Sequence, residues 1–154
     1  MRCLVIISLL CVSTLTAQST GEKLLWLGGA SVAFSLFDYV GYNATMNEHG
    51  IAPVGYRVAQ AAVQIGLSYL LYEKFGLPTA IAFNLIWWTW GCDLMYYQFG
   101  RVLPPYDQLS PNKQVTWASW TPVGLVRGGK EPIAHNTLIA QSLVGLTLAI
   151  TITL

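Results

Sequence analysis

The sequence predicts an all-α fold, a polytopic bundle of transmembrane helices, and three observations support this prediction. Only 10% of the 154 residues are charged, whereas soluble domains carry about 25% because water must hydrate their surface. Apolar residues make up 54% of the chain and fall into runs near the roughly 20 residues that a helix needs to cross a bilayer. The alternating apolar and polar series that a membrane β-barrel requires is not found. Lipid rather than water is therefore the expected solvent.

The first apolar segment, residues 1–17, has two interpretations. A single arginine precedes about 15 apolar residues, the dimensions of a secretory signal. The cleavage site is poor, because Leu15 stands where a small residue is expected if the cut follows Ala17. A signal peptide and a retained first, and hence fifth, transmembrane helix both remain open.

Residues 18–154 are predicted to form one transmembrane domain of four helices. The predicted helices cover residues 24–43, 57–73, 77–97 and 132–154. The one long loop, residues 98–131, holds the largest group of charges in the chain. Helices in lipid associate through small residues and interhelical hydrogen bonds, and both occur here.

Three amide side chains, Gln64, Asn84 and Gln141, lie well inside three different predicted helices. An amide in hydrocarbon must find a hydrogen-bond partner within the protein. We expect these three to bind one another across the axis of the bundle.

The distribution of lysine and arginine predicts the orientation, because cytoplasmic loops carry an excess of these residues. One side of the predicted membrane domain receives Arg57, Arg101, Lys113, Arg127 and Lys130, with Arg2 if the first segment is retained. The other side receives only Lys23 and Lys74. The long loop is therefore expected in the cytoplasm and the C-terminus outside.

Ionisable side chains inside a membrane are costly and mark candidate functional sites. Asp38, Asp93 and His135 all lie near the predicted cytoplasmic ends of their helices, and we take them as the candidate catalytic residues. Asp38 precedes Tyr42, and Asp93 precedes Tyr97, by four residues, so each carboxylate has a phenol on the same helix face. Candidate binding residues at similar depth are Tyr42, Asn43, His49, Arg57, Tyr97 and Arg101.

Two carboxylates and one or two imidazoles that face one cavity can bind a divalent cation or divide acid and base roles. Candidate metal ligands are thus Asp38, Asp93, His135 and His49, with the metal unidentified. Haem ligation by His49 and His135 is less favoured, because one of these histidines lies in a loop. The alternative is that Asp38 and Asp93 pair with Arg57 and Arg101 as anchors at the membrane boundary.

These patterns leave three function classes open. The first is an accessory or structural subunit that associates with other membrane subunits or with copies of itself. The second is a membrane-embedded enzyme that acts on a lipid-like substrate with the Asp and His cluster, and the third is a small proton- or cation-coupled carrier. A net charge of +1 without a basic cluster argues against nucleic acid as a partner.

Overall fold

The computed structural model describes residues 19–45, 54–104, 114–115, 118, 120–129 and 133–154. Within them the chain is almost entirely helical, so the all-α prediction is confirmed. The helices are α1 (Thr20–Thr45), α2 (Val54–Phe75), α3 (Leu77–Trp88), α4 (Gly91–Phe99), α5 (Pro122–Val126) and α6 (His135–Thr153). The strands β1 (Gln114–Val115) and β2 (Ile133–Ala134) form an antiparallel pair. The predicted leader, residues 1–17, lies outside the described residues.

The long helices pack side by side as a bundle. Helix α3 packs against both α2 and α6, and α1 contacts α2, α3, α4 and α6. Apolar side chains from these helices form one core, which includes Leu27, Phe34, Leu71, Phe83 and Ile86. By length and composition, α1 and α6 are the two described helices that are apolar enough to cross a membrane.

Local sequence signals explain where two of the helices begin. Ser19 precedes α1, and its hydroxyl accepts a hydrogen bond from the backbone N–H of Glu22 at 3.1 Å, as expected of a residue that caps a helix N-terminus. Gly76 separates α2 from α3 with a φ of 85°, a conformation that glycine adopts without steric cost. Pro78 then occupies the first turn of α3, where its missing N–H costs nothing.

The prediction of one helix over residues 77–97 is wrong in one respect, because the helix is interrupted there. Helix α3 ends at Trp88 and α4 begins at Gly91. Between them, Trp90 has a φ of 75° and is fully buried. A left-handed conformation in a bulky residue costs about 1–3 kcal/mol and persists only where its surroundings hold it in place.

The expectation for the three amides is met in part. Gln64 donates to Asn84 at 3.0 Å, and Asn84 donates to Ser68 at 2.8 Å. Gln141 instead donates to the backbone carbonyl of Thr89 at 3.2 Å. The interruption between α3 and α4 leaves that carbonyl without its helical partner, and a buried carbonyl requires another donor.

Close approach of α6 to the interruption depends on Gly145. A Cβ atom at this position would lie 2.6 Å from Cγ2 of Thr89 and closer still to its Cβ and Oγ1. Real Cβ atoms do not tolerate such contacts, so a larger residue forces the two helices apart. Gly145 therefore lets α6 reach the chain between α3 and α4.

We predict that Gly145→Ala lowers the free energy of unfolding by about 1–3 kcal/mol, the usual cost of inserting atoms into a filled core. The matched control is Gly28→Ala, because a Cβ at Gly28 meets nothing within 4 Å. The control should be neutral or slightly stabilising, since alanine favours the helix. Thermal unfolding in a mild detergent measures both variants, and equal stability of the two would contradict the close approach.

Candidate functional site

A second buried cluster of the bundle is rich in aromatic side chains, and we call it the aromatic cluster. Its buried members are the aromatic residues Tyr39, Trp90, Tyr96 and Tyr97 and the aliphatic residues Ala118, Ile133 and Leu138. Their rings meet edge to face, with Tyr39 and Tyr96 centroids 5.0 Å apart and Tyr96 and Tyr97 centroids 5.2 Å apart. This geometry suits the opposite charges of ring face and ring edge. The cluster joins α1, α4 and α6 next to the candidate carboxylates.

Asp38 is half-buried on α1 and is bound by two side chains of α2. The hydroxyl of Tyr56 donates to its Oδ1 atom. Nε2 of Gln60 donates to the same oxygen at 2.6 Å. Arg57 in turn donates to Oε1 of Gln60 at 3.0 Å. The guanidinium thus reaches Asp38 through the Gln60 amide, which both accepts and donates.

Asp93 lies in the first turn of α4 and is half-buried. Helix α4 packs against α1, which carries Asp38, so the two predicted carboxyl groups lie on neighbouring helices. A negative charge in the first turn of a helix is stabilised by the unpaired N–H groups there.

The predicted binding residues Tyr42, Asn43 and Tyr97 all lie at this end of the bundle. Tyr42 packs edge to face against Tyr56 and Tyr96, at centroid distances of 6.0 and 6.2 Å. Nδ2 of Asn43 donates to the carbonyl of Tyr39 at 2.7 Å and to the hydroxyl of Tyr96 at 3.3 Å. The ring of Tyr97 packs against those of Tyr96 and Trp90.

His135 is the first residue of α6 and is 8% exposed. Its ring meets the ring of Trp90 at a centroid distance of 6.0 Å. Neither ring nitrogen has a hydrogen-bond partner among the described residues. The structure therefore places His135 against the aromatic cluster at Trp90.

The remaining predicted site residues are Arg57, Arg101 and His49. Arg57 is exposed and bound to Gln60, and Arg101 is exposed in the turn after α4. His49 lies outside the described residues. The ion pair recorded between described residues joins Lys74 to Glu22 at 3.0 Å, so the predicted direct pairing of Asp38 and Asp93 with Arg57 and Arg101 is not found among them.

Sequence reasoning missed Tyr56 and Gln60, the two direct partners of Asp38. They lie four residues apart, so they share one face of α2. This four-residue spacing is visible in the sequence and indicates that both side chains can reach the same neighbour. The sequence predicts that this helix starts at residue 57, so Tyr56 lies just outside the predicted helix, whereas the observed helix begins at Val54.

The site contains two carboxyl groups on neighbouring helices, with the Tyr56 hydroxyl bound to Asp38. Carboxylate oxygens are ligands for hard divalent cations. Among the described residues, no group of three His, Cys, Asp or Glu side chains lies close enough to hold a metal ion. The proposed set of Asp38, Asp93 and His135 is thus not assembled as a three-ligand centre in this part of the chain.

A separate apolar groove lies toward the other end of α1 and α2. Its volume is about 380 Å³, within the usual range for ligand-sized pockets. Its lining residues are Leu25, Trp26, Gly29, Ala30, Ala33, Leu67, Leu70 and Leu71. None of the predicted site residues lines this groove. Along α1, its lining residues Leu25 and Ala33 lie about 20 Å and about 8 Å from Asp38.

No protein-family model, curated protein or solved structure matches this chain. The function has to be inferred from the contacts, burial and charge of the described residues. Two surfaces enter that inference, the carboxylate site beside the aromatic cluster and the exposed face of α2.

We predict that Tyr56→Phe lowers the free energy of unfolding by about 1–3 kcal/mol, because it removes a hydrogen bond to the half-buried Asp38 carboxyl group. Tyr69→Phe is the matched control. Tyr69 lies on the same helix and is 59% exposed, so loss of its hydroxyl should change stability by less than about 0.5 kcal/mol. Denaturant titration in detergent compares the two variants, and an equal effect would mean that the Asp38 contact contributes nothing.

Proposed function

We propose that this protein is a multi-pass membrane helical bundle that serves as an accessory or structural subunit of a larger membrane complex. The apolar outer surface of the helices supports the proposal that lipid surrounds them. In α1 and α6, only 33% of the most apolar window is buried, whereas the core helix of a soluble protein is mostly buried. Large apolar side chains point outward from all three long helices, among them Val32, Leu36, Val58, Ile65, Val144 and Leu148.

The exposure of α2 is the observation that carries the subunit proposal. Only two of its 22 residues, Tyr56 and Leu71, are buried. The uncovered surface includes Ala62 and Gly66, which are four residues apart. Small residues at this spacing let a second helix approach closely in lipid, where packing and hydrogen bonds drive association. The helix offers an edge that a neighbouring subunit can cover.

The polar groups of the interior also favour a structural role over a catalytic one. Asp38 is bound by Tyr56 and Gln60, and Asn84 by Gln64 and Ser68. Groups that bind one another in this way hold helices in register. They stabilise the bundle whether or not a substrate is present.

The proposed orientation places residues 98–131 in the cytoplasm and the C-terminus outside. The asymmetric distribution of lysine and arginine supports this orientation. Asn43 begins the sequence Asn-Ala-Thr on the proposed cytoplasmic side, where glycosylation does not occur. A glycan on Asn43 would reverse the proposed orientation.

A membrane-embedded enzyme acting on a lipid-like substrate is the second candidate function. The position of Asp38 and Asp93 on the packed helices α1 and α4 favours it, because two carboxyl groups can divide acid and base roles. Arg57, which is exposed next to this pair, would hold an anionic headgroup.

We predict that Ala62→Leu and Gly66→Leu release the protein from its native complex, because leucine keeps a partner helix from approaching α2. The control is Ala140→Leu, which adds bulk to an exposed alanine of α6. Native gel mass after mild solubilisation of the source membrane reports the assembly. We expect the parent and the control to migrate far above the 16.9 kDa monomer, in a complex of fixed stoichiometry.

Two results would contradict the subunit proposal. One is a parent protein that migrates as a single copy without a stoichiometric partner. The other is a complex that survives both α2 variants unchanged.

A further inference from the structure

Two side chains of α6 hold the chain between α3 and α4. The carbonyl of Thr89 accepts hydrogen bonds from Nε2 of Gln141 at 3.2 Å and from Oγ of Ser142 at 2.8 Å. Oε1 of the same Gln141 accepts a hydrogen bond from the backbone N–H of Val123 at 2.6 Å. One buried amide on α6 thus connects the interruption between α3 and α4 to helix α5.

A second set of contacts fixes the same part of the loop on α3. We call residues 120–126, which include α5, the Trp120 segment. The indole of Trp120 stacks on that of Trp87, with centroids 4.8 Å apart and planes 27° apart. Nε1 of Trp88 donates to the carbonyl of Trp120 at 3.1 Å. The segment therefore covers the last turn of α3, immediately before the strained Trp90.

The direction of α4 depends on this interruption, and α4 carries a large part of the candidate site. Cys92, Asp93, Tyr96 and Tyr97 all follow Trp90 within seven residues. Trp90 holds a left-handed conformation that needs support from its surroundings. Trp90 itself packs against Tyr97 and His135. The residues before it are held by α6 at Thr89 and by the Trp120 segment at Trp87 and Trp88.

We propose that the Trp120 segment is a latch that controls the α3–α4 interruption and, through it, the position of Asp93 and Cys92. While the segment is docked, Gln141 holds both Thr89 and Val123, and α4 stays against α1. When the segment undocks, Gln141 loses one of its two partners and α4 is free to move. A molecule that displaces the segment would thereby act on the carboxylate site from outside it. This inference does not rest on the proposed subunit role.

The thiol of Cys92 reports the opening directly. Cys92 is 3% exposed, and a buried thiol reacts slowly. In full-length protein with Cys3→Ser and Cys11→Ser, reconstituted in lipid nanodiscs, Cys92 is the one remaining thiol. The rate of its reaction with N-ethylmaleimide measures how often α4 moves away.

We predict that Gln141→Leu and Trp120→Ala each raise the labelling rate of Cys92 by about tenfold or more. Thr147→Val is the matched control, because the Thr147 hydroxyl is exposed and binds only its own helix at Leu143. The control should label within twofold of the parent. Circular dichroism at 222 nm establishes that the helices of each variant remain folded.

A double variant separates a latch from two independent packing defects. If Gln141 and Trp120 act on one opening, the double variant labels no more than about twofold faster than the faster single variant. Multiplied rate increases would mean independent effects and would overturn the proposal. If the Gln141→Leu variant loses helical signal, the Ser142→Ala variant is used in its place. This change removes one hydrogen bond to the Thr89 carbonyl and keeps the hydrogen bond between Gln141 and Val123. Parent-like labelling of a folded Trp120→Ala variant would also overturn the proposal.

Discussion

An apolar exterior is the constraint on which the rest of this structure depends. In the proposed lipid environment of the leucine, isoleucine and valine side chains exposed on α1, α2 and α6, polar groups of these helices are stabilised by partners inside the bundle. The Thr89 carbonyl finds two such partners on α6. Asp38 finds two on α2, and Asn84 binds both Gln64 and Ser68. The helices are held together by these few contacts as well as by their core.

The positions of the helices follow from apolar runs and their polar boundaries, and the sequence contains that information locally. The interruption at Thr89 and Trp90 is different. It contains no proline, and the apolar run continues through it, so the pattern over residues 77–97 indicates one helix. Its cause is tertiary, because Gln141 and Ser142 supply the lost backbone partners and Gly145 gives α6 access. None of these residues is adjacent to the interruption in sequence.

The same reasoning explains what could be predicted of the candidate site. The depth of Asp38 and Asp93 in their helices predicts that they share one end of the bundle, and the helices that carry them pack against each other. Their actual hydrogen-bond partners depend on how α1 packs against α2. Gly41 matters here, because a Cβ would lie 2.8 Å from the ring of Tyr56. The close contact of these helices brings Tyr56 to Asp38, whereas the four-residue spacing had indicated only Tyr42.

The central claim is that the outward faces of α1, α2 and α6 contact lipid. Spin labels placed one at a time at Val32, Ile65 and Val144, in a chain whose three cysteines are replaced by serine, test it directly. In reconstituted bilayers, the account predicts frequent collisions with oxygen and rare collisions with a water-soluble nickel chelate at all three positions. A label at Val102, which is exposed in the turn after α4, should show the opposite balance. Frequent nickel collisions at Val32, Ile65 and Val144 would contradict the account.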